Sequence, residues 1–551
     1  MGIYISPGVY SKEKDLSTLV PAISTTTGAL VGYSVKGSTS VRLITTQQQF
    51  IAEYGEPVPG NYFHYSALAF LTKGIQLYCR RVINGALYPG MHVMTDEASG
   101  DSEAFSIGQS TPTYFVDSDF ADELFSIFAK DPGVWGENIS ITITNIKDGT
   151  EEVVTDQYTF VINVYFTDSE GNTTLVEKWK VSKKNKIDGN GKQLYLESVI
   201  NDASDYIVVA DNTNRADTEV PKGNTTAVSL GGGSDGSIPT ANQIAGVQAS
   251  GSGWYSFYNP ANYDIRILIG GCFTSSHTTD DVKTIQDAIK AVAEYRKDCM
   301  GILDIPYDEI DSIDKMLTYR NTTQAYDSSY TALYAGWVKI NDPYNDRVLE
   351  VPASGYIAAQ FAYNDYVGEP WTAPAGHNRG KLDVLGIVED DPFTQGEMDS
   401  LCAVGINPIQ FFRGRGTTIF DQLTQQKKTS ALSQINVRRL LIVMEKAISI
   451  ALEDFLFEPN NELTRFRVKA VCDEYLSMLA SKGAFQVEAG DEGFLVVCDT
   501  TNNTPTVIDR TELHVDIFVK PIRVARIIQL QTIITTTGAS FTELIAKGVM
   551  F

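Results

Sequence analysis

Strand-like and helical apolar patterns alternate in the middle of the chain. The run Ile265–Ile269 has the length and apolar content of a buried strand, and Met300–Ile305 has the same character. Between them, Thr279 and Asp280 can cap a helix. Its apolar positions recur at helical spacing: Val282, Ile285, Ala288, Ile289 and Val292. This order predicts a parallel α/β sheet, which we assign to a middle domain over residues 241–384.

The N-terminal part has a related character, because residues 21–94 combine strand-like and helical patterns. We predict strands at Ala29–Tyr33 and Leu77–Val82, with a helix from Asn61 to Leu71. A chain of 551 residues is too long for one compact core. We therefore expect a multidomain protein of the α+β or α/β class.

Residues 95–240 change to a β-rich pattern. Alternating runs such as Ile139–Thr144 and Tyr158–Phe166 are separated by turn-forming residues. The region ends at Gly231–Ser237, whose composition predicts a flexible joint. We interpret it as a β-rich outer domain inserted into the domain that precedes it.

In residues 385–528 we predict helices first and strands after them. We expect long helices over 435–457 and 462–483. The predicted strands follow at 494–498, 513–519 and 524–534. Both ends of the chain predict extended arms: residues 1–20, where Pro7 and Gly8 discourage a helix, and residues 529–551.

Composition excludes several classes of function. The formal net charge is -24, which argues against coating DNA or an anionic membrane surface. No run is long and apolar enough to span a bilayer, and the first residues do not form a signal peptide. We expect folding in a cytosol, with reduced thiols at the scattered cysteines: Cys79, Cys272, Cys299, Cys402, Cys472 and Cys498.

Catalytic motifs do not appear in the sequence. The histidines are not placed at metal-ligand spacing on a helix: His64, His92, His277, His377 and His514. HExxH and GxSxG patterns are absent, and the Gly-rich joint lacks the ending of a phosphate loop. We therefore predict no catalytic residues, no metal and no cofactor.

Several stretches resemble the tail sheath proteins of contractile-tailed bacteriophages, and they keep the order of that family. They are Ile5–Tyr10, Val351–Ala359, Trp371–Gly380, Gly405–Pro408, Ile435–Leu440, Phe457–Asn461, Val497–Pro505 and Val507–Arg510. The resemblance covers residues 1–90 and 262–540 and says little about 95–235. It implies an inner domain built from both chain ends, with outer domains inserted into it.

The resemblance also implies partners and a mechanism. Such subunits form stacked hexameric rings around a tail tube, engage baseplate and tail terminator proteins, and contract to drive the tube through a cell envelope. The expected location is the virion, after assembly in the host cytoplasm. Terminal arms would add strands to neighbouring subunits, and the β-favouring residues of these arms are Ile3, Tyr4, Ile5, Val9, Tyr10, Ile528, Leu530, Ile533 and Ile534.

Two other sets of residues follow from the resemblance and from local charge. In the family motifs we expect fold-keeping roles for Arg379, Arg438, Arg439, Asn502, Asn503 and Asp509. Residues 411–470 hold 10 Lys plus Arg against 6 acids, so Arg465, Arg467 and Lys469 are candidates for facing an acidic tube. The alternatives are a phage-derived contractile injection particle and, from a different class, a cytosolic α/β enzyme with a β-rich lid.

Overall fold

The computed structural model describes residues 26–145, 157–168, 170–388 and 392–530. The α-helices are α1 Gln47–Tyr54, α2 Tyr62–Phe70, α3 Leu196–Ala203, α4 Ala241–Ala245, α5 Thr279–Arg296, α6 Ile313–Thr318, α7 Ser354–Val367, α8 Gly376–Arg379, α9 Gln395–Ala403, α10 Ile435–Glu453, α11 Glu462–Ser481 and α12 Pro505–Asp509. The strands are β1 Thr27–Tyr33, β2 Arg42–Ile44, β3 Gln76–Val82, β4 Gly90–Met94, β5 Glu103–Ala104, β6 Glu123–Ala129, β7 Ile139–Asn145, β8 Phe160–Thr167, β9 Thr173–Val181, β10 Ile207–Asp211, β11 Asn224–Ser229, β12 Ile267–Ile269, β13 Met300–Asp304, β14 Thr331–Ala335, β15 Trp337–Asp342, β16 Arg347–Pro352, β17 Gly386–Ile387, β18 Ile406–Phe412, β19 Gly416–Ile419, β20 Phe494–Val497 and β21 Asp516–Val519.

The largest sheet has the strand order β19-β18-β14-β13-β12-β1-β3-β2. The strands from β18 to β3 run parallel, and only the edge strands β19 and β2 are antiparallel to their neighbours. The predicted parallel α/β architecture is therefore confirmed. Helix α2 packs on α7, helix α4 packs on α5, and both pairs contact the central strands.

In this sheet, strands from three of the segments defined by sequence lie side by side. Strand β1 from segment 21–94 lies beside β12 from segment 241–384, and β14 pairs with β18 from segment 385–528. An inner domain of 21–94 and 385–528 alone does not describe the sheet, because strands of all three segments hydrogen-bond to one another. The part that each segment plays in assembly stays a prediction.

The N-cap of helix α5 lies one residue before the predicted capping residues. Thr278, rather than Thr279 or Asp280, is the N-cap, and it forms a capping box with Asp281. The predicted apolar face is confirmed, since Val282 to Val292 at helical spacing are buried against the sheet.

The β-rich region consists of two four-stranded antiparallel sheets, β10-β6-β4-β5 and β11-β7-β8-β9, which share one hydrophobic core. Its first strand begins at Gly90, a few residues before the predicted boundary. The exit at Gly231 hydrogen-bonds to Gly90 in both directions, at 2.9 and 3.0 Å. A Cβ atom on Gly232, at φ +80°, would lie 2.4 Å from the backbone nitrogen of Gly108. The predicted flexible joint is therefore a closely packed one.

In the C-terminal part, the two predicted helices are present as α10 and α11. Of the predicted strands, two form the hairpin β20–β21, which packs with α10 and α11 around a separate core. The third prediction, 524–534, is wrong for residues 524–530, which form no strand because none of the described residues pairs with them; residues 531–534 lie outside the described residues.

Two further observations concern the described ranges. No helix there combines the length and hydropathy needed to cross a bilayer. The cysteines carry free thiols, which are buried except for that of the half-buried Cys402.

Candidate assembly interface

The hairpin β20–β21 exposes apolar side chains and unpaired strand edges. Leu495 and Phe518 face each other across the hairpin and are 56% and 59% exposed. On the opposite face Val496 is buried against helices α10 and α11. Among the described residues neither outer edge has a further strand beside it. Open edges of this kind accept a strand from another chain.

The segment after the hairpin lies extended over the body and is held there by one ion pair. Arg526 Nε donates to Asp421 Oδ1 at 3.1 Å, and its Nη2 contacts the other carboxylate oxygen of Asp421, which is buried. Beyond this pair Ile528 and Leu530 are 87% and 91% exposed. The predicted arm residues Ile3, Tyr4, Ile5, Val9, Tyr10, Ile533 and Ile534 lie outside the described residues.

Asn502 and Asn503 form the polar centre of the connection between β20 and β21. Asn502 Nδ2 donates to the carbonyl of Val497 at 2.8 Å and to Asp516 Oδ2 at 3.0 Å. The buried Asn503 exchanges hydrogen bonds with the backbone of His514, at 2.8 and 2.9 Å. These amides fix the hairpin's shape, whereas Asp509 lies exposed at the end of α12.

Arg438 and Arg439 lie at the buried start of α10. The guanidinium of Arg438 stacks over the ring of Tyr330, 4.3 Å from its centroid. Arg439 forms an ion pair at 2.5 Å with Asp365 of α7, whose side chain is fully buried. Arg439 therefore links the C-terminal helices to the main sheet's helical layer.

Arg379 contributes through its backbone. Its carbonyl accepts hydrogen bonds from Gln360 Nε2 at 2.7 Å and Asn364 Nδ2 at 3.0 Å, both on α7. The side chain itself is exposed.

The three basic candidates on α11 differ in their surroundings. Arg465 is buried, and its Nη1 donates to Asn460 Oδ1 at 2.8 Å. Arg467 is exposed and Lys469 is half-buried. Residues two apart on a helix point in nearly opposite directions, so the structure does not bring the three charges onto one surface.

Sequence reasoning missed an apolar tip at the turn between α10 and α11. Phe457 is 105% exposed and has a left-handed backbone, φ 67°, which is uncommon for a bulky residue. Leu456, Leu463 and Phe466 beside it are also exposed. The available signal was the concentration of large apolar residues around Pro459, between the two predicted helices.

A cavity of about 470 Å³ lies at the carboxyl ends of the parallel strands, where α/β enzymes hold their ligands. Aromatic rings in edge contact line it, among them Tyr62 and Trp337 with centroids 5.0 Å apart. His277 is engaged by Thr274 Oγ1 at 2.9 Å and the carbonyl of Pro239 at 3.0 Å. No cluster of three or more metal-ligating side chains occurs in the described parts of the chain.

Comparisons with solved structures identify the fold. The fold matches a sheath protein from an extracellular contractile injection system, the PVC sheath complex in its contracted state, with a TM-score of 0.52 and 16% identity, over 97% of this chain and 98% of that one. It also matches the sheath tail protein from Listeria innocua with a TM-score of 0.55 and 12% identity, over 87% and 90% of the two chains. The fold is therefore that of contractile sheath proteins.

Sequence comparisons give the family. Residues 253–425 match the phage tail sheath protein central domain, and residues 427–535 match the phage tail sheath C-terminal domain. The tail sheath protein of Vibrio phage KVP40 is 31% identical over 383 residues, which are 65% of this chain and 53% of the relative. That of Enterobacteria phage T4 is 30% identical over 305 residues, 53% of this chain and 45% of the relative. The chain belongs to the phage tail sheath protein family and spans about half the length of the curated relatives it matches.

Proposed function

We propose that the chain is the structural subunit of a contractile tail sheath. Copies polymerise as stacked hexameric rings around a tail tube, and contraction drives the tube through the host cell envelope. The observation that carries this proposal is that one chain has both an open-edged hairpin and an exposed apolar segment beyond Arg526. One is suited to accept a strand and the other leads into a strand donor.

The same chemistry supports a non-enzymatic mechanism. Each strand added to a neighbour contributes several backbone hydrogen bonds of about 0.5–1.5 kcal/mol net apiece. Such links persist while subunits rotate, so contraction draws on the energy of the assembled lattice rather than on a nucleotide. We propose the tail tube, baseplate and tail terminator proteins as further partners, the host cytoplasm as the place of assembly, and the virion as the final location.

Truncation of either arm tests the donor side. Chains lacking residues 1–14 or residues 535–551 are expected to melt cooperatively, at nearly the full-length temperature in calorimetry, yet to form no tubes in negative-stain images. Normal tubes from a truncated chain would contradict the proposal. Loss of the melting transition would show that the arm belongs to its own subunit's core.

A double substitution tests the acceptor side. Leu495→Thr together with Phe518→Thr keeps strand-compatible side chains but removes apolar area from the exposed face of the hairpin. We expect a folded monomer whose polymerisation is reduced. The matched control is Leu175→Thr, an exposed apolar residue on β9 of the insert, which should leave polymerisation unchanged; equal losses in both proteins would remove the hairpin from the interface.

A second candidate is the sheath of a phage-derived contractile injection particle. The match to the PVC sheath favours it, because that structure covers nearly the whole chain. Gene neighbourhood separates the two candidates, since capsid or terminase genes beside this one indicate a phage.

A further inference from the structure

Lys183 and Asp211 form a buried contact between the two sheets of the β-rich insert. Lys183 lies two residues after β9, the edge strand of one sheet, and Asp211 ends β10, the edge strand of the other. Lys183 Nζ contacts Asp211 Oδ1 directly, and the two residues are only 3% and 9% exposed. The contact is therefore a polar link between strands that share no ladder of hydrogen bonds.

A second carboxylate and a phenol complete the cluster. The Tyr195 hydroxyl lies 3.2 Å from Asp211 Oδ2 and 3.1 Å from Glu197 Oε2. The other oxygen of Glu197 accepts a hydrogen bond from the backbone nitrogen of Asp211 at 2.8 Å. Lys183 Nζ also donates to the carbonyl of Asn212 at 2.7 Å. An amine, its target carboxyl group and a proton-accepting carboxylate are thus held together.

The Tyr195 hydroxyl is suited to carry protons between the two carboxyl groups. Burial, followed by the negative charges of Asp211 and Glu197, raises the pKa of Tyr195 above its ordinary value. The hydroxyl therefore keeps its proton at neutral pH and can donate to one carboxylate while it accepts from a protonated neighbour.

We propose that Lys183 and Asp211 react to form an intramolecular amide bond that joins the two sheets covalently. The ammonium of Lys183 gives one proton to the carboxylate of Asp211, and the neutral amine then attacks Cγ. The C–N bond forms, the bond from Cγ to its hydroxyl oxygen breaks, and one water molecule leaves. Tyr195 and Glu197 relay the proton lost by the attacking nitrogen to the departing hydroxyl group, which leaves as that water molecule, so no oxidant, metal or co-reactant is needed.

Burial favours this outcome over a lasting ion pair. Two charges removed from water carry a desolvation penalty that their mutual attraction offsets only in part. Condensation replaces both charges with a neutral amide and keeps the link between the edge strands. The bond would tie the insert together against forces that pull its sheets apart, and the inference does not depend on the proposed assembly.

Intact-mass spectrometry of the purified full-length chain tests the proposal. The wild-type mass is expected to be lower than the sequence mass by one water molecule, with a cross-linked peptide that joins Lys183 to Asp211 after digestion. Lys183→Met and Asp211→Ala should have their full sequence masses. Glu197→Gln should react more slowly, which appears as a larger fraction at the full mass in freshly purified protein.

Controls distinguish this bond from other losses of water. Lys184→Met alters the neighbouring lysine and should still lack one water molecule relative to its own sequence. Cyclisation at Asp188–Gly189 would also remove water, but it would persist in Lys183→Met. A wild-type mass equal to the sequence mass, or a loss that survives in Lys183→Met, overturns the proposal and leaves an ordinary buried ion pair.

Discussion

The guanidinium of Arg81 reaches from the main sheet to the β-rich insert, where its Nη1 donates to the carbonyl of Pro132 at 2.9 Å. The same side chain, on β3, donates to three carbonyls in the loop after β1: Ser34, Val35 and Gly37, at 2.6–2.8 Å. Arg81 is 1% exposed. It therefore fastens the insert to the main sheet at a point distant in sequence from the Gly-rich exit.

Arg81→Ala should destabilise the protein by about 3 kcal/mol or more, because it leaves several buried carbonyls without a donor. Denaturant unfolding measures this loss. The stability of Arg81→Lys should lie between those of the wild type and Arg81→Ala, because an ammonium cannot reach all four acceptors. The neighbouring Arg80→Ala is the matched control, since Arg80 donates to one carbonyl, that of Gly251. An equal effect of the two alanine variants would contradict this account.

The insert should be removable without loss of the lattice. Leu87 and Ser234 are joined by two backbone hydrogen bonds, at 2.8 and 3.3 Å, so an Asn-Gly turn can replace residues 88–233 as a two-residue hairpin loop. We expect a folded protein that still forms tubes, as seen by negative-stain microscopy. If the shortened chain melts cooperatively but never polymerises, the insert belongs to the lattice.

Asp304 should make stability depend on pH. Burial raises its pKa to about 7 from the ordinary 3.8, so between these values the folded state holds a proton that the unfolded state has lost. The contribution of Asp304 to stability therefore falls as the pH rises, and it is constant above about pH 7. Relative to the wild type, the free energy of unfolding of Asp304→Asn should therefore increase by at most about 1.4 kcal/mol per pH unit between about pH 5 and 7.

The effect of Asp304 is seen in the difference in free energy of unfolding between the wild type and Asp304→Asn, because other groups change stability with pH in the opposite direction. Burial lowers the pKa of His64 to about 4, which removes stability as the pH falls, and this contribution cancels in the difference. Ser354 supports the carboxylate of Asp304 with a backbone hydrogen bond of 2.8 Å and with its hydroxyl. Ser354→Ala should therefore raise the pKa of Asp304 and shift the pH range over which stability changes to higher pH. Parallel curves of stability against pH for the wild type and Asp304→Asn would contradict this role of Asp304.

Basic side chains on α11 should contribute to tube contact through charge. Because Arg465 is buried, the informative variants are Arg467→Glu and Lys469→Glu, each tested singly because the two side chains point to opposite sides of the helix. Each exposed pair contributes only ~0–1 kcal/mol, but every subunit repeats it, and salt screens it. Assembly on purified tubes should weaken, more at low salt than at high salt. Lys178→Glu, the same charge change at an exposed position on the insert, is the control; matching responses would exclude a specific tube surface on α11.

Local pattern predicted what depends on neighbours in sequence. Helix α5 followed from its apolar spacing, and the parallel order of β12 and β13 followed from the helix between them. The same reasoning could have separated Arg465 from Arg467, because residues two apart on a helix point to opposite sides.

Contacts between distant residues were not predictable in this way. The placement of β1 beside β12, the reach of Arg81 to Pro132 and the meeting of Lys183 with Asp211 each join segments that only the completed fold brings together. The Gly-rich exit was misjudged for the same reason. Its glycines permit close approach to Gly108, and composition alone does not distinguish close packing from mobility.

The strand order of the main sheet has a consequence for how the subunit is made. Strand β1 gains its neighbour β12 only after residue 267 has been synthesised, whereas the insert closes with its own antiparallel strands well before that point. The hairpin β20–β21 leaves the ribosome later than every strand of the main sheet. Since domains fold as the chain emerges, the surface proposed to accept a strand appears only after every strand of the main sheet has been made, which limits strand exchange between nascent chains on one messenger RNA.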